Sequence, residues 1–201
     1  MTDPASKTPV QEALDTRTRI VAAAADLFAE KGYNGASLRE IADRVGIRTP
    51  SLFYHFKSKG ELYQAILETI FGDLNEVIEG ALRAEGGYEE RLVVLADAYT
   101  RHTARHRNFS MMFFREMLDN RDGLQETSRR YIFPSVERVA RFLREGQAAG
   151  AFREVDPLHF IMSFIGMTVY YYAAAPIISP LTSEHVFAPG AIDARAAHVI
   201  D

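Results

Sequence analysis

The stretch SLREIADRVGIRTPSLFYHF, residues 37–56, decides the fold of the first third of this chain. Ser37 and Glu40 stand at the S-x-x-E spacing of a capping box, in which hydroxyl and carboxylate each satisfy a backbone N–H left open at a helix start. Leu38, Ile41, Ala42 and Val45 then fall on one helical face, and Gly46 supplies the left-handed residue on which helices end. Pro50, with its fixed φ and missing N–H, suits the first helical position of a second helix, with Thr49 as its cap. Only Gly46 to Arg48 separate the two. Two short helices on a tight glycine turn make a helix-turn-helix. In the second helix Leu52, Phe53 and Phe56 take the core side, leaving Arg48, Thr49, Ser51, Tyr54 and His55 outside.

Towards the N-terminus, Ile20, Ala24, Leu27 and Phe28 recur at i, i+4, i+7 and i+8 and predict a helix from Thr16 to Lys31, closed by Gly32. Residues 1–14, with Pro4 and Pro9, are expected to form a disordered arm. Towards the C-terminus, Ser58 with Glu61 makes a second capping box and opens a fourth helix, apolar at Leu62, Ile66, Ile70, Leu74 and Val77. Glu85-Gly86-Gly87 breaks it. Further helices are predicted over 88–107, 109–118 and 124–149, the last bent at Pro134, and from Asp156-Pro157 to Ala175. Residues 176–190, with three prolines, read as a loop, and Ile192, Ala196, Val199 and Ile200 as a last helix. With no strand pattern, the chain is predicted to be all-α: an arm (1–14), a three-helix helix-turn-helix domain (15–60) and a helical body (61–201).

At 201 residues, 47% apolar and 25% charged, the chain can bury a sizeable core. The absence of cysteine excludes disulfides and thiolate metal sites. No apolar run approaches the ~18 residues of a membrane span, and the N-terminus lacks the apolar core of a signal peptide, so a cytoplasmic protein without a membrane partner is expected. The net charge of -4 is unevenly spread: all four lysines, Lys7, Lys31, Lys57 and Lys59, lie in the first sixty residues. A basic head on an acidic body points to nucleic acid. A helix bearing Arg and hydroxyls fits the ~12 Å major groove, where such groups bond base edges. The helix starts at Ser37 and Ser58 turn N–H groups towards phosphates, and Lys57 and Lys59 add charge. A helical hairpin packed on another domain has the same spacing; exposed Tyr54 beside His55, flanked by these lysines, favours DNA.

The segment from Ile20 to Leu67, above all REIADRVGIRTPSLFYHFKSKGELYQAIL, resembles the DNA-binding domain of the TetR family of one-component transcriptional regulators. The helix-breaking glycine, the L-[FY]-Y-H-F run and the K-[SD]-K-x-x-L entry into the fourth helix occur together, and the remainder agrees in layout. The resemblance implies that Ser37 and Arg39 touch the phosphate backbone, that Arg48, Thr49, Pro50 and Ser51 lie over base edges, and that Tyr54, His55 and Lys59 hold phosphates beside Lys57. Pro50 stands where glycine or a small residue is common, removing a donor while offering its ring to a thymine methyl. It further implies a body that binds a small-molecule effector and forms a homodimer through its last two helices. The expected function is that of a ligand-responsive repressor released from a palindromic operator on double-stranded DNA, with no cofactor.

The body's large, soft residues, among them Phe109, Met112, Phe113, Met117, Phe133, Phe164 and Met167, suit either a plain core or an adaptable cavity. The cavity reading gives an apolar or aromatic effector, with Tyr99, His102 and Tyr171 as polar handles. The segment DPLHFIMSFIGMTVYYYAAAP, residues 156–176, is apolar nearly all round, as expected of a helix shared with a second copy. His102 and His106 have the i, i+4 spacing of a metal pair, but Arg101, Arg105 and Arg107 would repel a cation; two exposed histidines and no metal are expected. No G-x-S-x-G elbow, phosphate-cradling glycine loop or H-E-x-x-H occurs, so no enzyme is expected. The alternative reading is a DNA-bound architectural or cell-cycle protein whose body binds a protein partner.

Overall fold

A computed structural model describes residues 9–119, 126 and 128–201, with side chains over 14–115, at 126 and from 128 onwards. The described residues contain helices and no strand, and the chain divides into two compact units, Met1–Leu67 and Glu68–Asp201. The division falls beyond the expected border after residue 60 because the first turns of the fourth helix belong to the core of the first unit.

In that unit α1 (Pro9–Gly35) packs on α2 (Leu38–Val45), which packs on α3 (Thr49–His55), with the start of α4 (Lys59–Leu82) completing the set. The arm expected over 1–14 is helical from Pro9, and residues 1–8 lie outside the described ones. Gly32, at φ 72° and ψ 170°, breaks the helical path of α1 where its closing glycine is predicted. Ile20, Ala24, Leu27 and Phe28 are buried, as are Ile41, Leu52, Phe56 and Leu62. Phe28 stacks on Tyr33 with ring centroids 5.6 Å apart and meets Tyr63 of α4 edge-on at 5.3 Å. Phe53 departs from its predicted core position and is 47% exposed. α3 is seven residues long, and Leu52 and Phe56, four apart, fill the space beneath it, which leaves Phe53 rotated outwards.

The second unit contains the rest of α4, α5 (Tyr88–Arg105), α6 (Phe109–Asp119), a π-helical turn (Ser128–Ile132) leading into α7 (Phe133–Ala148), α8 (Pro157–Ala173), the single turn α9 (Ala175–Ile178) and α10 (Pro189–Ile200). The bend expected at Pro134 is this π-to-α junction: proline has no N–H for the ladder, so the change of hydrogen-bond pattern falls where a bond is missing anyway. The loop expected over 176–190 holds α9 and a 3-10 turn (Ser179–Leu181), with Pro176 and Pro180 in their opening turns. α8 packs on α5, α6 and α7, and α10 packs on α5. Among the described residues no single helix is long and apolar enough to cross a membrane.

Gly146 on α7 lies against Phe152, whose ring carbons would be 2.3 and 2.4 Å from an added Cβ. In an open helix, alanine would improve on glycine by up to ~1 kcal/mol. Here the Phe152 ring is hemmed in by Phe142 and Tyr88, at 5.9 and 6.1 Å. Gly146→Ala is therefore expected to destabilise the protein by about 1–3 kcal/mol, read as a lower urea midpoint. A raised midpoint would show that the ring can retreat.

Candidate functional site

α2 opens on Ser37 in extended geometry, φ -117° and ψ 148°. The Glu40 N–H donates to Ser37 Oγ at 3.2 Å and the Ser37 N–H to Glu40 Oε2 at 3.0 Å, so both halves of the capping box are made. Lys31 Nζ reaches Glu40 at 2.5 Å; that ammonium, with the Ser37 donors, holds the Glu40 carboxyl down at about 2. Arg44 grips Glu30 with two nitrogens, at 3.0 and 2.5 Å, and lowers its pKa. The cations on this side of the unit are thus matched by acids.

The other side differs. Gly46, left-handed at φ 76° and ψ 34°, turns the chain after α2. α3 starts one residue earlier than predicted: Arg48 is the cap by backbone alone, and Thr49 and Pro50 form the first turn, which frees the Thr49 hydroxyl from capping. α3, TPSLFYH, carries no acid. Ser51 and Pro50 are exposed, Tyr54 is 85% exposed, and Thr49 and His55 are half-buried, with His55 edge-on to Tyr54 at 5.4 Å. Ser37, Arg39, Arg48 and Lys57 are exposed, and among the described residues the three cations form no ion pair. The second capping box is offset: Glu61 takes the Lys57 N–H at 2.7 Å while its own N–H donates to Ser58 Oγ at 3.1 Å. Lys59, expected on phosphate, has its Nζ 2.6 and 2.8 Å from the Tyr33 and Ala36 carbonyls and 4.5 Å from the centre of the Tyr33 ring. It ties α4 to the α1–α2 connection. An exposed, acid-free helix flanked by cations and bearing hydroxyls beside the Tyr54 ring suits a polyanion.

The second unit contains a partly open cavity of about 410 Å³. α4 lends it Phe71, Leu74, Asn75 and Ile78, one helical face at i, i+3, i+4 and i+7. Phe109 meets Phe71 edge-on at 5.1 Å, and Tyr99 meets Phe164 at 5.2 Å. The wall is mostly apolar, and besides Asp201 and the tyrosines Tyr99 and Tyr131 its polar groups sit at one corner. There Asn75 Oδ1 accepts from Ser135 Oγ and, at 3.1 Å, from Arg138 Nη2, while Arg138 Nη1 pairs with Glu79. Ser135 Oγ also lies 2.8 Å from the Tyr131 carbonyl of the π turn.

Of the residues assigned to a ligand from sequence, Tyr99, Phe109, Phe113 and Phe164 line this cavity, and burial raises the Tyr99 phenol pKa. Met112 is buried away from the wall, Phe133 and Met167 are exposed, and Tyr171 lies under the Arg195 guanidinium at 4.4 Å. Met117 falls outside the residues whose side chains are described. Of the α4 face, only Leu74 belongs to the apolar stripe predicted through Ile66 and Ile70, and none of Phe71, Leu74, Asn75 and Ile78 is assigned to a ligand from sequence.

His102 and His106 are not the exposed pair predicted. His102 is buried off the cavity, 4.5 Å from the His106 ring, with Nε2 unpartnered among the described residues. Burial first, then the charges of His106 and Arg105, push its pKa down to about 4; burial also lowers His106, which lies 3.7 Å from Asp73. An unfolded histidine takes a proton near 6.5. His102 therefore contributes stability above that pH, lost as pH falls from 6.5 towards 4, by up to about 3 kcal/mol. The unfolding temperature is expected to fall across that window and less steeply in His102→Leu. An equally steep variant would assign the fall to other groups.

Residues 20–66 match the family model for bacterial regulatory proteins of the tetR family, and residues 89–201 match that of the tetracyclin repressor-like C-terminal domain. The HTH-type transcriptional activator FasR of Mycolicibacterium smegmatis is 36% identical over 85 residues, so that the match spans 42% of this chain and only 39% of that one. The probable HTH-type transcriptional regulator YttP of Bacillus subtilis is 23% identical over 168 residues, 83% of this chain and 81% of its own. The crystal structure of a TetR/AcrR-family regulator from Thermobifida fusca aligns with a TM-score of 0.66 and 27% identity, covering 93% of this chain and 97% of that one.

Proposed function

This chain belongs to the TetR family of bacterial transcriptional regulators, DNA-binding proteins rather than enzymes, and on that footing we propose that it is a cytoplasmic, homodimeric repressor released from a palindromic operator by a small apolar effector. The observation that supports this most is the charge pairing of the first unit: Lys31 and Arg44 are matched by Glu40 and Glu30, while Arg48 and Lys57 bracket an α3 free of acid and Arg39 is exposed on α2. Ser37, Arg39, Tyr54, His55 and Lys57 then hold phosphates, and Arg48, Thr49, Pro50 and Ser51 read base edges. Lys59 acts behind them, fixing the connection on which Ser37 sits.

Exposed Leu158, Met162 and Tyr170 on α8 support pairing with a second copy through α8 and α10. Two recognition helices then meet half-sites about 34–36 Å apart, or a multiple of that. An effector in the 410 Å³ cavity favours a conformer whose two heads no longer match both half-sites, by no more than its difference in affinity for the two states. Selection of genomic fragments by the purified protein at moderate salt tests the reading. A palindrome with two half-sites is expected. Salt-sensitive binding without sequence preference would replace it with the architectural role.

A further inference from the structure

The cavity's polar corner carries chemical information about its occupant. A guanidinium only donates, so the Asn75 atom 3.1 Å from Arg138 Nη2 is the amide oxygen, and the side chain has one orientation. The oxygen is then occupied by Arg138 and by contact with the Ser135 hydroxyl, whose single proton is shared between Asn75 and the Tyr131 carbonyl 2.8 Å away. The amide nitrogen holds two donors, and among the described residues nothing accepts from them, although Asn75 lines a mostly apolar wall. Donors left in such a place cost free energy that an acceptor on an occupant would recover.

Charge narrows the choice. Arg138 is already paired with Glu79, so this pair brings no net charge to the corner. An anionic head would meet Glu79 as well as Arg138. An alcohol would bring a hydrogen for which Asn75 Oδ1 has no place. A carbonyl oxygen accepts from both N–H groups and brings neither difficulty. We propose that the cavity is built for a neutral, apolar molecule bearing a carbonyl oxygen, received by the Asn75 amide nitrogen. This rests on the reading of the cavity as the effector site, and Asn75 then sets effector specificity from α4.

The test uses the full chain and displacement of Nile red by n-undecane, 2-undecanone and decanoate, compounds alike in length and different in head. The ketone is expected to bind roughly tenfold more tightly than either of the others. Asn75→Leu is expected to abolish that advantage by weakening the ketone and tightening undecane. Tighter binding of decanoate would overturn the proposal in favour of Arg138 as the head-group partner. Equal binding of all three would overturn it while leaving the effector cavity standing, and a folded Asn75→Leu that keeps its preference for the ketone would do the same. Failure of every probe to bind would remove the effector reading itself. Should Asn75→Leu not fold, the parent's ranking of the three compounds decides alone.

Discussion

Ser51→Asp is expected to weaken operator binding by roughly 100-fold or more while leaving the first unit as stable as before, or slightly more so. The two effects have opposite signs because one new charge meets two different fields. Ser51 is the third residue of α3, exposed, with its N–H on the Arg48 carbonyl at 2.9 Å. A carboxylate in the first turn of a helix lies at the positive end of its dipole, favourable by ~0.3–1 kcal/mol. The same carboxylate, carried into a groove walled by phosphates, meets repulsion of several kcal/mol that no cation of α3 offsets, since the helix has none beyond His55. Fluorescence anisotropy on the selected site, beside a thermal melt of the free protein, measures both. Binding within tenfold of the parent in a folded variant would mean that α3 does not enter DNA.

Phe28→Ala is expected to cost about 3–5 kcal/mol, enough to unfold much of the first unit at moderate temperature. Phe28 is 1% exposed and forms the centre of a three-ring cluster with Tyr33 and Tyr63, which meet each other edge-on at 5.2 Å. Removing the ring leaves a void between α1 and α4 and takes the stack from Tyr33, whose carbonyl and ring also hold Lys59. Urea unfolding followed by tyrosine emission checks it, the chain having no tryptophan. Phe28→Leu, which keeps most of the volume, is expected to cost under about 1.5 kcal/mol. Equal costs for the two would mean that the aromatic contacts, rather than the filled volume, carry the effect.

The sequence was most legible where the signal is local. Ser37 with Glu40, Gly46 and Pro50 mark helix ends through hydrogen bonds and backbone angles that span only a few residues, and each stands at or within one residue of its predicted place. Legibility failed where the answer depends on a distant segment. Whether Phe53 or Phe56 turns inwards depends on what lies beneath a seven-residue helix, and Lys59 finds its partners 26 and 23 residues back along the chain. The cavity shows the same division. Its aromatic content was visible in Phe109, Phe113 and Phe164, whereas its polar corner joins Asn75 to Ser135, 60 residues apart, with nothing in either neighbourhood to announce the other.

The π turn at Ser128–Ile132 makes the cavity wall sensitive to chain length. Such a turn is an α-helix holding one residue more than its ladder needs. Tyr131 and Ile132 reach the cavity from within it, and Tyr131 lies over Phe71 with ring centroids 6.4 Å apart and planes at 12°. Losing a single codon there would let the helix relax to the ordinary pitch, swinging the residues on the N-terminal side of the loss by about 100° and drawing them in by about 1.5 Å. The aromatic panel would leave its place in one step, while the α4 face and the first unit kept every residue they have. On the effector reading proposed above, a three-base deletion there would recut the cavity wall while leaving the sequence of the first unit unchanged.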